Sequence, residues 1–162
     1  MKTRYFWLPF IFGFILAGLF AFSITKPFIN PETDVNVFEP EYRTLSGGPF
    51  KLAEKSDKIR LVNYWSTWCK PCVAEFKDFQ KLKEKYNDKF EIITISDEDI
   101  SKIENFKNSK GYNFQFLHSP RRLSNYGINA IPVNVLLDKN GNPIISKVGQ
   151  LSINEVEEVL NQ

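Results

Sequence analysis

Cys69 and Cys72 are the only cysteines of the chain. They stand two residues apart in Trp65-Ser66-Thr67-Trp68-Cys69-Lys70-Pro71-Cys72. Such a pair has three chemistries open to it: a redox dithiol, a static disulfide, or half of a metal site. A static bridge over so short a loop constrains the unfolded chain little. A metal needs further ligands, and the chain offers one histidine, His118, and no third thiol. No metal site and no cofactor are expected. The pair lies where the β-branched and aromatic run Ile59–Tyr64 gives way to a helical pattern. That junction points to the redox dithiol.

The elements around the pair read as alternating strands and helices. Residues 59–65 form a buried strand. Residues 70–86 form a helix, with Val73, Phe76, Phe79, Leu82 and Tyr86 recurring every three or four positions. A second buried strand spans 90–95. An amphipathic helix over 99–110 turns Ile100, Ile103 and Phe106 inward and ends at Gly111. A short strand over 113–117 and a helical turn over 119–126 follow. Strands 133–138 and Pro143–Val148 flank Lys139-Asn140-Gly141-Asn142, a hairpin turn signal. Ser152-Ile153-Asn154-Glu155 is a capping box that opens the last helix. The order β-α-β-α-β-β-α predicts an α/β fold, a mixed sheet with helices on both faces.

Helix position sets the roles of the two thiols. Cys69 falls at the helix start, where unpaired N–H groups and the positive helix end favour a thiolate. Lys70 adds a positive charge nearby. Cys69 is therefore the expected nucleophile and Cys72, one turn further in, the resolving thiol. Pro71 donates no N–H, and its fixed φ suits a first helical turn. Trp68 either shields one side of the thiol or receives a partner chain, or it simply packs.

Two motifs in order, Trp-x-x-Trp-Cys-x-Pro-Cys and Tyr126-Gly127-Ile128-Asn129-Ala130-Ile131-Pro132, carry a resemblance. The chain resembles the thioredoxin superfamily. Within it, the chain is similar to the membrane-anchored TlpA/ResA-like thiol-disulfide oxidoreductases. The resemblance implies a thioredoxin-like fold and a catalytic Cys69–Cys72 pair. It implies a cis Pro132 packed on the dithiol, with Ile131 presenting its backbone to an extended substrate. It also implies that Glu75, three residues after Cys72, tunes the thiols. A carboxylate beside a thiolate raises the thiol pKa and can accept its proton; the plainer reading is a solvated first-turn glutamate. Asn63 stands where thioredoxin has a buried aspartate, leaving Glu75 as the one carboxylate expected near the site. Val133-Asn134 departs from the Thr-Thr common in the family. Glu75→Gln is expected to leave stability almost unchanged, since no core volume is lost.

Charge and the N-terminus set the location. A net charge of +2 with mixed signs does not suit nucleic acid. Residues 6–24 are almost entirely apolar and follow Lys2 and Arg4. That length approaches the ~20 residues that span a bilayer. Residues 1–26 are read as an uncleaved signal-anchor, one transmembrane helix, with a removed signal peptide as the alternative. Residues 27–36 are a linker, and segment 28–45 is read as lacking regular structure. The domain spans 37–162. The basic flank places it outside the cytoplasm, facing the periplasm or the extracellular side of the cell membrane. The expected activity is disulfide reduction in a monomer. Protein disulfides or dithiols are its substrates, and a membrane thiol carrier supplies electrons. Apocytochrome c is one candidate substrate. A DsbA-like oxidase and a copper-binding assembly factor of the same fold are the alternatives.

Overall fold

The computed structural model describes residues 41–52 and 54–161, so the anchor and linker readings lie outside the described residues. The strands are β1 (Tyr42–Thr44), β2 (Pro49–Phe50), β3 (Ile59–Tyr64), β4 (Phe90–Ser96), β5 (Gln115–His118), β6 (Val133–Leu137) and β7 (Pro143–Val148). The helices are α1 (Lys70–Lys85), α2 (Ile100–Lys110) and α3 (Ile153–Leu160), and one 3₁₀ turn spans Leu123–Tyr126. One seven-stranded sheet has the order β2-β1-β5-β4-β3-β6-β7. β3 pairs parallel with β4 and antiparallel with β6, which places it inside the sheet, next to the central β4.

Strand alternation sorts the core into two layers. Leu61 and Trp65, with Ile92 and Leu136, face a cluster that holds Phe76, Phe79 and Leu82 of α1. Ile103 of α2 and Val156 and Leu160 of α3 join the same cluster. Val62 and Tyr64, with Ile93, Ile95, Val133, Val135 and Leu137, face the other side. That side is covered by Tyr42, Leu52, Leu123 and Ile128. Among the described residues, all three α-helices thus pack on one face, and the expectation of helices on both faces is corrected. Among the described residues, the second face is covered by the 3₁₀ turn together with Tyr42 and Leu52, and by no α-helix. Pro120 precedes that turn, and Gly127 at φ 80° closes it after four residues.

The reading of 28–45 as irregular is corrected over Tyr42–Thr44; residues 28–40 lie outside the described residues. β1 joins β5 by pairing Arg43 with His118, and Tyr42 is buried with its hydroxyl 2.8 Å from that of Tyr64. Three residues are too few to show a two-residue period, so only the neighbouring strand reveals this one. The hairpin signal holds in a longer form. Gly141 takes φ 91°, and the Asp138 carboxylate accepts the N–H groups of Asn140 and Asn142.

Candidate active site

β3 delivers the chain to the dithiol. Trp65, buried just past its end, is locked among Phe76, Phe106 and Phe116 at centroid distances of 4.9, 4.6 and 5.9 Å. Cys69 is the N-cap of α1, and its Sγ accepts the Cys72 N–H at 3.3 Å. Pro71 lies in the first turn, where its missing N–H leaves no donor unmatched. Cys69 and Cys72 are joined as a disulfide with Cα atoms 5.3 Å apart. Cys72 is fully buried and Cys69 is 4% exposed. Trp68, by contrast, is 71% exposed, so it does not pack in the core. Lys70 is exposed beside the pair.

Pro132 enters from the start of β6. Its peptide bond with Ile131 is cis, and it is buried. Its carbonyl accepts the Gly149 N–H at 2.8 Å. Ile131 is half-buried and packs against both core layers. The β7–α3 connection therefore ties the proline to the dithiol helix. Gly149 holds Pro132, Gln150 donates to the Pro71 carbonyl at 3.2 Å, and the Leu151 N–H donates to Glu75 Oε1 at 2.6 Å.

Glu75 is not a solvated first-turn residue. It is 4% exposed and lies on the same side of α1 as Cys72, one turn away. Residues so spaced have Cβ atoms roughly 5–6 Å apart. Oε1 also accepts Asn134 Nδ2 at 3.0 Å, while the buried Oε2 has no partner. Burial pushes the carboxyl up to about 7, against the hydrogen bonds from Leu151 and Asn134 and the charge of Lys147, which hold it down.

Glu98 was not anticipated, and it corrects the expectation of a single carboxylate near the site. It lies just beyond β4, and its two oxygens accept the N–H and the hydroxyl of Thr67. It therefore pins the loop that carries Trp68 and Cys69. No local spacing links residues 31 apart, so the sequence held no signal for it. Glu98→Ala is expected to lower unfolding free energy by about 2 kcal/mol. Urea titration, with hydrogen exchange at the Thr67 amide, checks this. An unchanged exchange rate would show that the carboxylate does not hold the loop.

The chain matches the AhpC/TSA family over residues 31–144, most of its length. It is 26% identical to the thioredoxin-like protein YneN of Bacillus subtilis over 164 residues, 96% of each chain. It is 28% identical to the thiol-disulfide oxidoreductase ResA of Bacillus thuringiensis over 156 residues, 91% of this chain and 90% of that one. The crystal structure of StoA from Bacillus subtilis shares the fold, with a TM-score of 0.59 at 22% identity, covering 78% of this chain and 97% of that one.

Proposed function

Because this chain belongs to the AhpC/TSA family and closes Cys69–Cys72 across a helix start, we propose that it is a thiol-disulfide oxidoreductase that reduces protein disulfides outside the cytoplasm. The observation that carries the reading is the placement of the pair. Cys69 caps the helix and Cys72 is sealed one turn inside it. In the reduced protein the Cys69 thiolate attacks a substrate disulfide. That bond breaks, one substrate thiolate leaves, and a mixed disulfide forms. Cys72 then attacks Cys69 Sγ, releasing the second substrate thiol and leaving Cys69–Cys72 oxidised. Two electrons pass to the substrate, and a dithiol carrier in the membrane restores them. Trp68 and the Ile131–Pro132 segment form the surface that receives the substrate chain. The similarity to ResA supports this activity, and a disulfide between apocytochrome c cysteines is a candidate target.

The apolar segment 6–24 with its basic flank supports a single-pass anchor in the cell membrane. N-terminal sequencing of mature protein that starts near Pro27 would show cleavage instead. The copper-binding alternative would need a histidine near the thiols, and the one histidine of the chain is His118, at the end of β5. The reduction potential tests the direction of exchange. A Cys69–Cys72 potential near thioredoxin's ~−270 mV is expected, and a value near DsbA's ~−120 mV would make the protein an oxidase.

A further inference from the structure

A row of polar side chains crosses the sheet beneath α1. Thr94 of β4, Asn63 of β3 and Asn134 of β6 are neighbours by strand register, and all three are fully buried. On the same sheet face stand Leu61, Trp65, Ile92 and Leu136. Buried amides in such surroundings are costly unless they are hydrogen-bonded. Here the bonds run in one direction. Asn63 Nδ2 donates to Asn134 Oδ1 at 2.8 Å. Asn134 Nδ2 donates to Glu75 Oε1 and to the Gly149 carbonyl, each at 3.0 Å.

The orientation of Asn134 is forced. The Gly149 carbonyl can only accept, so the atom facing it is Nδ2. The same atom then faces Glu75, and Oδ1 is left for Asn63. Asn134 has no alternative arrangement that keeps these bonds. Its donor and the Leu151 N–H both end on Oε1 of Glu75, and none ends on Oε2. In the neutral carboxyl, Oε1 is thus the carbonyl oxygen and Oε2 the hydroxyl.

We propose that Asn134, clamped by Asn63, is a positioning residue of the exchange reaction: it grips Glu75 by Oε1, so that Oε2 carries the proton exchanged with the dithiol one helical turn away. The inference rests on the oxidoreductase reading above. When a donor thiolate attacks Cys69 Sγ, the Cys69–Cys72 bond breaks and Cys72 leaves as a thiolate. The proton on Glu75 Oε2 passes to that thiolate. When the pair is oxidised again, the Glu75 carboxylate takes the proton back.

The charged groups around Glu75 are few. From β7, Lys147 acts on it, opposite Asn134 in register. Lys147 is itself held by Glu155 of α3 at 2.7 and 2.9 Å. α1 contributes the dithiol and the exposed Lys70. β3, β4 and β6 contribute only neutral Asn63, Thr94 and Asn134.

The test follows the Glu75 carboxyl stretch by infrared titration of the full chain, assigned by its loss in Glu75→Gln. The pH dependence of the Cys69–Cys72 potential is measured beside it. Asn134→Leu keeps the volume and removes the donor. The Glu75 inflection should then rise by on the order of one pH unit, a tenfold gain in proton affinity. The bend in the potential curve should move with it. In the Glu75→Gln background, Asn134→Leu should leave the potential curve unmoved. An unmoved Glu75 inflection overturns the proposal, and so does a potential change that persists without Glu75. If Asn134→Leu does not fold, Asn134→Thr takes its place. One hydroxyl cannot donate to both Glu75 and Gly149, so a smaller rise is expected, and no rise overturns the proposal. Wild-type protein inactive towards disulfides would overturn the oxidoreductase reading itself, visible before any variant is made.

Discussion

Cys69→Ser should abolish disulfide exchange, whereas Cys72→Ser should accumulate partner proteins as stable mixed disulfides. The difference follows from burial and helix position. Cys72 is fully buried, with no surface for an incoming disulfide. Cys69 caps α1 and lies beside Trp68, which is exposed. At the N-cap its thiolate meets the positive end of the helix. A partner therefore bonds to Cys69, and only Cys72 is placed to release it. With Cys72 gone, the mixed disulfide has no resolving thiol. Non-reducing electrophoresis of cells expressing each variant reads the outcome, and alkylation of the reduced protein should modify Cys69 first. Partners trapped on Cys72 in the Cys69→Ser protein, with none trapped in Cys72→Ser, would reverse the assignment.

Glu75→Gln should make the stability of the oxidised protein less sensitive to pH. In the folded chain burial raises the Glu75 carboxyl from an ordinary 4.5 to about 7. A raised carboxyl means that the folded state binds the proton more tightly than the unfolded state. The resulting stabilisation is complete below about pH 4.5 and is lost as pH rises through about 7. The full change is about 3 kcal/mol. Gln keeps the acceptor for Asn134 and Leu151 and never ionises. The two proteins should match below pH 4.5, and the variant should be the more stable at pH 8. The sequence-based expectation of almost no effect thus holds only in acid, because it considered volume and not buried charge. Urea unfolding across this range decides, and parallel curves would refute the effect. In the reduced variant, loss of the opposing charge should also favour the Cys69 thiolate and make the pair more oxidising.

The legible part of the site was the part written locally. The helix start, the thiol roles and the Pro71 position all follow from neighbours within one turn. Glu75 was legible as a spacing but not as a buried group. Its environment comes from Asn134 and Leu151, which lie 59 and 76 residues away. Asn63 and Asn134 were visible as departures from family habit. That they bond to each other appears only once β3 and β6 are paired.

By itself the sequence determined the redox pair, the order of the main strands and helices, and the ends of the helices. These rest on periodicity, capping and turn chemistry, which act over a few residues. Gly111 at φ 69° ends α2, and the capping box at Ser152 opens α3, as the local rules require. Only the tertiary structure decided that the three α-helices of the described residues share one face. It alone recruited Tyr42–Thr44 as a strand, set Glu98 under the Cys69 loop, and buried Glu75 against the Asn134 amide. Each of these depends on which strand lies beside which, and register is a property of the packed sheet rather than of any one segment.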